Sequence, residues 1–240
     1  MIRKAVLLIH GFVGGTYDLE YIQNHLELNR RFDTFSYTLP GHERILSKVE
    51  YPDWINRSEE MVKWLIDNGY REIYLVSHSM GGVIASYLAS KYKEIKKVVL
   101  AAPSFNYLSV VKDSIHLKDS IKSSTKVLKT YSSKEILSRI LKLNVSATRE
   151  FMKLVSKYYD TPKEITCPVL LLQGTKDDLV PISSSEYVYN SVKSKVKKMV
   201  IVEGVTHDIF RNERVNEIYS VIEKFLRYPI IEGGISKIWV

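Results

Sequence analysis

The sequence predicts an α/β fold, in which a mostly parallel sheet of about six to seven strands carries helices on both faces. The first observation is a series of short apolar runs without polar alternation, which is typical of strands buried on both faces. The second is that segments with helical periodicity separate these runs. The six runs lie at residues 5–9, 34–39, 73–76, 97–100, 169–172 and 199–202.

Five segments have the apolar spacing of helices. Thr16 is the predicted N-cap of the first, whose apolar face begins at Leu19. Pro52 can open the second at its first helical position, and Asn68 with Gly69 provides its stop. The other three predicted helices centre on residues 83–88, 187–192 and 218–225.

The alternation of strand and helix fails between residues 104 and 163. This segment has helical pattern, many serines and lysines, and ten Lys and two Arg against five acidic residues, nearly all of the chain's net charge of +8. We therefore predict an α/β core formed by residues 1–103 and 164–240, with an inserted small helical cap at 104–163. The cap's lysines form either a solvated face or a basic surface for anionic substrates or lipid headgroups.

The composition is that of a globular protein, with 45% hydrophobic and 26% charged residues. The single cysteine, Cys167, excludes an intrachain disulfide and is expected to be a buried, inert thiol. The first apolar stretch is about five residues long, shorter than the core of a signal peptide, and no run approaches the ~20 residues of a membrane span. We expect a cytoplasmic location, no transmembrane segment and no nucleic-acid partner, with peripheral membrane contact left open.

A candidate catalytic serine lies in residues 77–82, Ser-His-Ser-Met-Gly-Gly, where one apolar run ends. A sharp strand-to-helix turn can hold one serine, in a strained backbone conformation, exposed above a sheet. The residues two before and two after it must be small, and here they are Ser77 and Gly81, with Ser77 in the usual glycine position of G-x-S-x-G. Ser79 is the predicted nucleophile, and the N–H of Met80 the first oxyanion donor. The alternative is a polar loop without chemistry.

A second oxyanion donor is expected from the glycine-rich residues 10–15, His-Gly-Phe-Val-Gly-Gly, which follow the first apolar run. Because the carboxyl ends of parallel strands collect at one edge of a sheet, this loop shares a crevice with the serine turn. Glycines let backbone N–H groups approach a substrate oxygen closely. We predict that the N–H of Phe12 is the donor, and that His10 braces the loop rather than acting as a base.

A serine nucleophile needs a base, which in turn needs an acid. In this architecture the chain order is serine, acid, histidine, and His207 is the histidine that follows both Ser79 and the later strands. The acid is expected in the loop after the preceding strand, where two aspartates compete. The spacing Gly-x-x-Asp-x-x-Val-Pro favours Asp177 over Asp178, and Asp208 is a weaker candidate because it adjoins His207.

Five segments resemble the α/β-hydrolase superfamily, and within it the bacterial carboxylesterases and monoacylglycerol lipases. They are HGFVGG at 10–15, PGHE at 40–43, SHSMGGVIA at 77–85, GTKDDLVP at 174–181 and VTHD at 205–208. The resemblance implies a helical cap after the fourth strand, no cofactor or metal, and ester hydrolysis through an acyl-enzyme. It also implies Ser79 as nucleophile, Asp177 as acid, His207 as base, and Phe12 and Met80 as oxyanion donors.

The predicted function is cleavage of small carboxylic esters with short or medium acyl chains, or of monoacylglycerols. An apolar acyl pocket is predicted at the start of the cap, formed by Phe105, Tyr107, Leu108, Val110 and Val111. The rival reactions with the same triad are those of a thioesterase, an acyltransferase or a C–C bond hydrolase. A rival of another class is a non-catalytic ligand-binding protein on the same fold.

Overall fold

The computed structural model describes residues 3–28, 31–43, 48–106, 145–228 and 234–238. Its strands form one sheet in the order β2-β1-β3-β4-β5-β6-β7, and every neighbouring pair is parallel. The predicted α/β fold with a mostly parallel sheet is therefore confirmed. The strands are β1 (Lys4–Ile9), β2 (Asp33–Ser36), β3 (Glu72–His78), β4 (Ile95–Ala101), β5 (Val169–Gly174), β6 (Lys197–Val202) and β7 (Gly234–Ile238).

Five of the six predicted apolar runs lie within strands of this sheet, and the run at 34–39 extends three residues beyond the end of β2. The seventh strand comes from the C-terminal segment. From sequence, that segment could be an edge strand, a packing tail or an oligomer contact. It forms the edge strand β7, which pairs in parallel with β6 from Gly234 opposite Lys198 onward. Pairing with β6 satisfies backbone groups that neither strand can satisfy alone.

The helices are α1 (Glu20–Leu28), α2 (Tyr51–Asp67), α3 (Met80–Lys91), α4 (Val145–Tyr158), α5 (Ile182–Ser191) and α6 (Val215–Arg227). The predicted N-cap of α1 is wrong: Thr16–Asp18 form a 3₁₀ turn, and α1 begins at Glu20. The Asp18 carboxylate accepts the N–H of Gly15 and closes that turn ahead of the helix. The predicted stop of α2 is observed, because Gly69 has φ 87° and its N–H donates to Ile66.

Two apolar cores lie on opposite faces of the sheet. Leu7 packs on the face covered by α2, α3, α4 and α5, whereas its neighbour Leu8 packs on the face covered by α1 and α6. Successive strand residues point to opposite faces, so strands covered on both sides need apolar residues at every position. This requirement explains the uninterrupted apolar runs in the sequence.

The predicted cap segment is described at residues 104–106 and 145–163. Within it, α4 packs against α2 and α3, and its Phe151 and Leu154 belong to the core on that side of the sheet. Phe105 is fully buried against Tyr159 and Tyr187, so it belongs to the core and does not line an open acyl pocket. The other predicted pocket residues, Tyr107, Leu108, Val110 and Val111, lie outside the described residues. No helix in the described ranges is long and apolar enough to cross a membrane.

Candidate active site

Ser79 lies between the last residue of β3 and the first residue of α3, at φ 54° and ψ −119°. Such a conformation costs a non-glycine residue about 1–3 kcal/mol and persists only where the surroundings enforce it. The N–H of Ser79 donates to the carbonyl of Ala101 at 2.9 Å, which ties the turn to β4. The Oγ of Ser79 lies 2.9 Å from the Oγ of the buried Ser104.

Two glycines make room for this turn. A Cβ on Gly81 would lie 2.4 Å from the carbonyl oxygen of Ile9, and one on Gly11 would lie 3.0 Å from the Cβ of Ser79. The size limit at Gly81 therefore comes from the backbone at the end of β1. Without these two glycines, the loop after β1 could not approach the serine turn.

Ser77 is fully buried, and its Oγ donates to the carbonyl of Val99 on β4 at 2.9 Å. Its small side chain fits the buried space beside β4, and its hydroxyl group links β3 to β4 through this hydrogen bond. We expect Ser77→Gly to retain kcat/KM on an ester substrate within about threefold, since a loss of that size is well under the 1.36 kcal/mol that makes a tenfold change. The free energy of unfolding should fall by about 1 kcal/mol through the lost hydrogen bond, as measured by urea denaturation.

The bulky variant Ser77→Leu is the matched control and should lose both activity and stability, because β4 leaves no space for its side chain. A collapse of activity in a folded Ser77→Gly protein would show that the Ser77 hydroxyl takes part in the reaction.

The loop after β1 is braced by His10. Its Nε2 accepts the N–H of Leu39 at 3.0 Å, and its Nδ1–H donates to the carbonyl of Gly11 at 2.8 Å. Burial lowers the pKa of His10 to about 3, so the ring is neutral and serves as a fixed link between loops. Among the described residues, the N–H groups of Phe12 and Met80 have no hydrogen-bond acceptor, as a pair of oxyanion donors requires.

The side chain of Phe12 connects this loop to the predicted cap segment. Its ring stacks on Phe151 of α4 at a centroid distance of 5.1 Å, and meets Trp54 of α2 edge-on at 6.2 Å. His42, from the loop after β2, packs on the same ring, and burial lowers its pKa. The backbone at Phe12 is therefore held from both sides by aromatic packing.

His207 and Asp177 meet at the carboxyl ends of β5 and β6. The Nδ1 of His207 lies 2.9 Å from Oδ2 of Asp177, whose side chain is 1% exposed. Oδ1 of the same carboxylate accepts the N–H groups of Leu179 and Val180 at 3.0 and 2.8 Å. Asp178 is exposed, so the structure brings Asp177 to the histidine, and not Asp178.

The hydrogen bonds around Asp177 define its charge and the tautomer of His207. Burial alone would raise the pKa of Asp177, but the hydrogen bond and charge of His207 and the two backbone N–H donors outweigh it, and the pKa lies below its usual range. The carboxylate is thus ionised and can only accept, so the proton lies on Nδ1 of His207. In the neutral ring the lone pair is therefore on Nε2, where a general base needs it.

A close backbone contact joins the acid loop to the histidine loop. The N–H of Lys176 donates to the carbonyl of Val205 at 2.9 Å, and a Cβ on Gly174 would lie 2.1 Å from that same oxygen. Only glycine fits between the two loops, and the distance between Asp177 and His207 depends on this contact.

Three residues near these groups escaped the sequence analysis. His78 occupies a variable position of the G-x-S-x-G pattern, yet its Nε2–H donates to the carbonyl of His207 at 2.8 Å, and burial lowers its pKa to about 4. Ser104 contacts Ser79, and Gln173 contacts Asp177 at 3.0 Å. Only Gln173 could have been noticed in the sequence, as a polar residue in an otherwise apolar strand. Ser104 lies 25 residues from Ser79 along the chain, and His78 lies 129 residues from His207, so neither contact leaves a local pattern.

Comparison with known proteins agrees with this fold and arrangement. A family model described as serine aminopeptidase, S33, matches residues 1–214. The chain belongs to this family. Among curated relatives, the carboxylesterase of Bacillus subtilis (strain 168) is 22% identical over 232 residues, with 93% of this chain and 92% of the relative covered. The thermostable monoacylglycerol lipase of Bacillus sp. (strain H-257) is 24% identical over 217 residues, covering 85% and 82% of the two chains.

A solved structure gives the same result for the fold. A soluble variant of the monoglyceride lipase from Saccharomyces cerevisiae, solved with a substrate analogue, superposes with a TM-score of 0.70 at 22% identity. The superposition covers 94% of this chain and 86% of that one. The predicted serine hydrolase class, the α/β-hydrolase fold and the likeness to carboxylesterases and monoacylglycerol lipases are confirmed.

Proposed function

We propose that this chain hydrolyses carboxylic esters through an acyl-enzyme formed on Ser79, with His207 as base and Asp177 as acid. The observation that carries the proposal is the fully satisfied Asp177 carboxylate, which keeps the lone pair of His207 on Nε2. A ligand-binding protein on the same fold would need neither this proton arrangement nor a serine held at φ 54°.

In the proposed mechanism, Ser79 Oγ attacks the ester carbonyl while Nε2 of His207 takes its proton. The N–H groups of Phe12 and Met80 stabilise the oxyanion of the tetrahedral intermediate. His207 then protonates the leaving alcohol, and water repeats the two steps to release the acid. Asp177 remains ionised throughout and stabilises the imidazolium.

The proposed substrates are short- or medium-chain esters and monoacylglycerols. The names of the curated relatives support this choice, as does the aromatic contact between Phe12 and Phe151 beside the oxyanion loop. The proposal includes a cap at residues 104–163 and a cytoplasmic location. Cys167 is only partly buried, not fully as the sequence predicts, and burial raises the pKa of its thiol to about 11, which keeps the thiol protonated.

We expect kcat/KM for p-nitrophenyl esters of two to eight carbons, or for a monoacylglycerol, to exceed that for the matching acyl-CoA by at least about tenfold, a barrier difference of 1.36 kcal/mol. The reason is that an apolar acyl group and a small alcohol need no anion site. The test is to measure kcat/KM for the ester and for the acyl-CoA of each chain length across one acyl-chain series.

A strong preference for acyl-CoA would favour a thioesterase, for which the basic residues of segment 104–163 would provide the attraction. Faster cleavage of aminoacyl p-nitroanilides would instead match the aminopeptidase activity for which the family is named. Either outcome contradicts the ester proposal.

A further inference from the structure

Gln173 is a fully buried polar residue near the end of β5, an otherwise apolar strand. A buried amide must satisfy its donors and its acceptor, or it costs the fold a few kcal/mol. Its Nε2 lies 3.0 Å from Oδ2 of Asp177 and 3.1 Å from the carbonyl of Val180. Its Oε1 lies 2.7 Å from the Oγ of Ser185, which is also fully buried.

These partners fix the orientation of the amide. The carboxylate of Asp177 and the carbonyl of Val180 can only accept, so both must face the NH₂ group of Gln173. The opposite orientation would place three acceptor oxygens together in the core. Oε1 must then face Ser185, whose hydroxyl is the donor.

Oδ2 of Asp177 is therefore shared between two donors, His207 Nδ1–H at 2.9 Å and Gln173 Nε2–H at 3.0 Å. Gln173 also holds the other end of the acid loop through Val180, whose N–H donates to Oδ1 of the same carboxylate. One rigid side chain of the sheet thus ties both ends of the acid loop to β5.

We infer that Gln173, anchored by Ser185, is a positioning residue for the catalytic acid. Its NH₂ group also weakens the negative electrostatic potential of the Asp177 carboxylate at His207. The inference rests on the proposed function, since it matters only if Asp177 and His207 carry out proton transfer. Its physical basis is that a hydrogen-bond donor on a carboxylate makes the electrostatic potential at the neighbouring imidazole less negative, and so keeps the pKa of that imidazole from rising.

The test is Gln173→Met, which keeps the length of the side chain and removes its donors. We expect kcat on a p-nitrophenyl ester to fall by about tenfold, the loss of one charge-assisted hydrogen bond, with KM nearly unchanged. The acid limb of the kcat/KM pH profile, which reports the base, should move up by about half a unit to one unit. Ser185→Ala, which removes only the anchor, should shift the limb in the same direction by less.

Ser194→Ala is the matched control, because Ser194 is another buried serine and donates only to the nearby carbonyl of Val196. The acid limb of the kcat/KM pH profile of Ser194→Ala should stay at the wild-type position. If Gln173→Met is folded by thermal denaturation and loses rate without any shift of the limb, Gln173 is merely structural and the inference is wrong. If Gln173→Met does not fold, an unshifted limb in Ser185→Ala overturns the inference equally.

Failure of the proposed function has a different signature. It would appear in the wild-type protein, as absent ester cleavage and no covalent labelling by a fluorophosphonate, before any variant is compared.

Discussion

Replacement of Ser79 by alanine is expected to lower kcat for ester cleavage by about 10⁶-fold and to abolish covalent labelling by a fluorophosphonate. Alanine removes the attacking oxygen, while the remaining oxyanion donors and binding groups give only a small residual rate over water. Alanine also suits the turn no worse than serine does, so the fold should persist. Labelling followed by intact-protein mass spectrometry measures the effect directly.

Ser104→Ala is the informative control, because its hydroxyl lies only 2.9 Å from that of Ser79. This variant should still be labelled, since Ser104 is fully buried and is not located on the strained turn. Labelling that survives in Ser79→Ala and disappears in Ser104→Ala would assign the nucleophile to Ser104 and refute the proposal.

Asp177→Asn is expected to lower kcat by about 10⁴-fold. The free energy of unfolding should fall by about 1–3 kcal/mol, because the new NH₂ group would face the Nε2 donor of Gln173. The asparagine oxygen would accept the N–H groups of Leu179 and Val180, as Oδ1 of Asp177 does. Its NH₂ group would then face Nδ1 of His207, which would have to become an acceptor. The proton would move to Nε2, and His207 could no longer accept the proton of Ser79. Steady-state kinetics between about pH 5 and 8, the range in which histidine side chains change charge, would reveal the loss.

Asp178→Asn is the paired control, because Asp178 is the next residue and is exposed. It should keep activity close to the wild-type value. Equal losses in the two variants would mean that the acid loop moves as a unit and that its two aspartates have no separate roles.

The inner strands of the sheet were readable from sequence because each is largely buried on both faces, whereas the edge strands β2 and β7 are only partly buried. Leu7 and Leu8 enter different cores, so neither position tolerates a polar residue, and the run stands out. The end of α2 was readable for a local reason, since Gly69 accepts φ 87° more easily than other residues. The start of α1 was not readable from sequence, because the Asp18 side chain closes a turn on Gly15 and the helix begins only after that turn.

The candidate residues Ser79, Asp177 and His207 were chosen from turn chemistry, loop spacing and chain order. Those cues depend on neighbours in sequence. His78 and Gln173 were missed because a buried hydrogen bond to a residue in another loop leaves no local pattern. The same limit applied to the C-terminal segment, whose role depended on whether β6 had a free edge.

The sequence by itself determined the parallel α/β architecture and the order of the chemical groups along the chain, because apolar burial and turn geometry act on neighbouring residues. Only the tertiary structure decided which atoms meet: Asp177 with His207, Gln173 with Asp177, and Gly174 with Val205. The physical reason is that hydrogen bonds form over about 3 Å, and only the packing of the strands brings loops from distant parts of the chain to that distance.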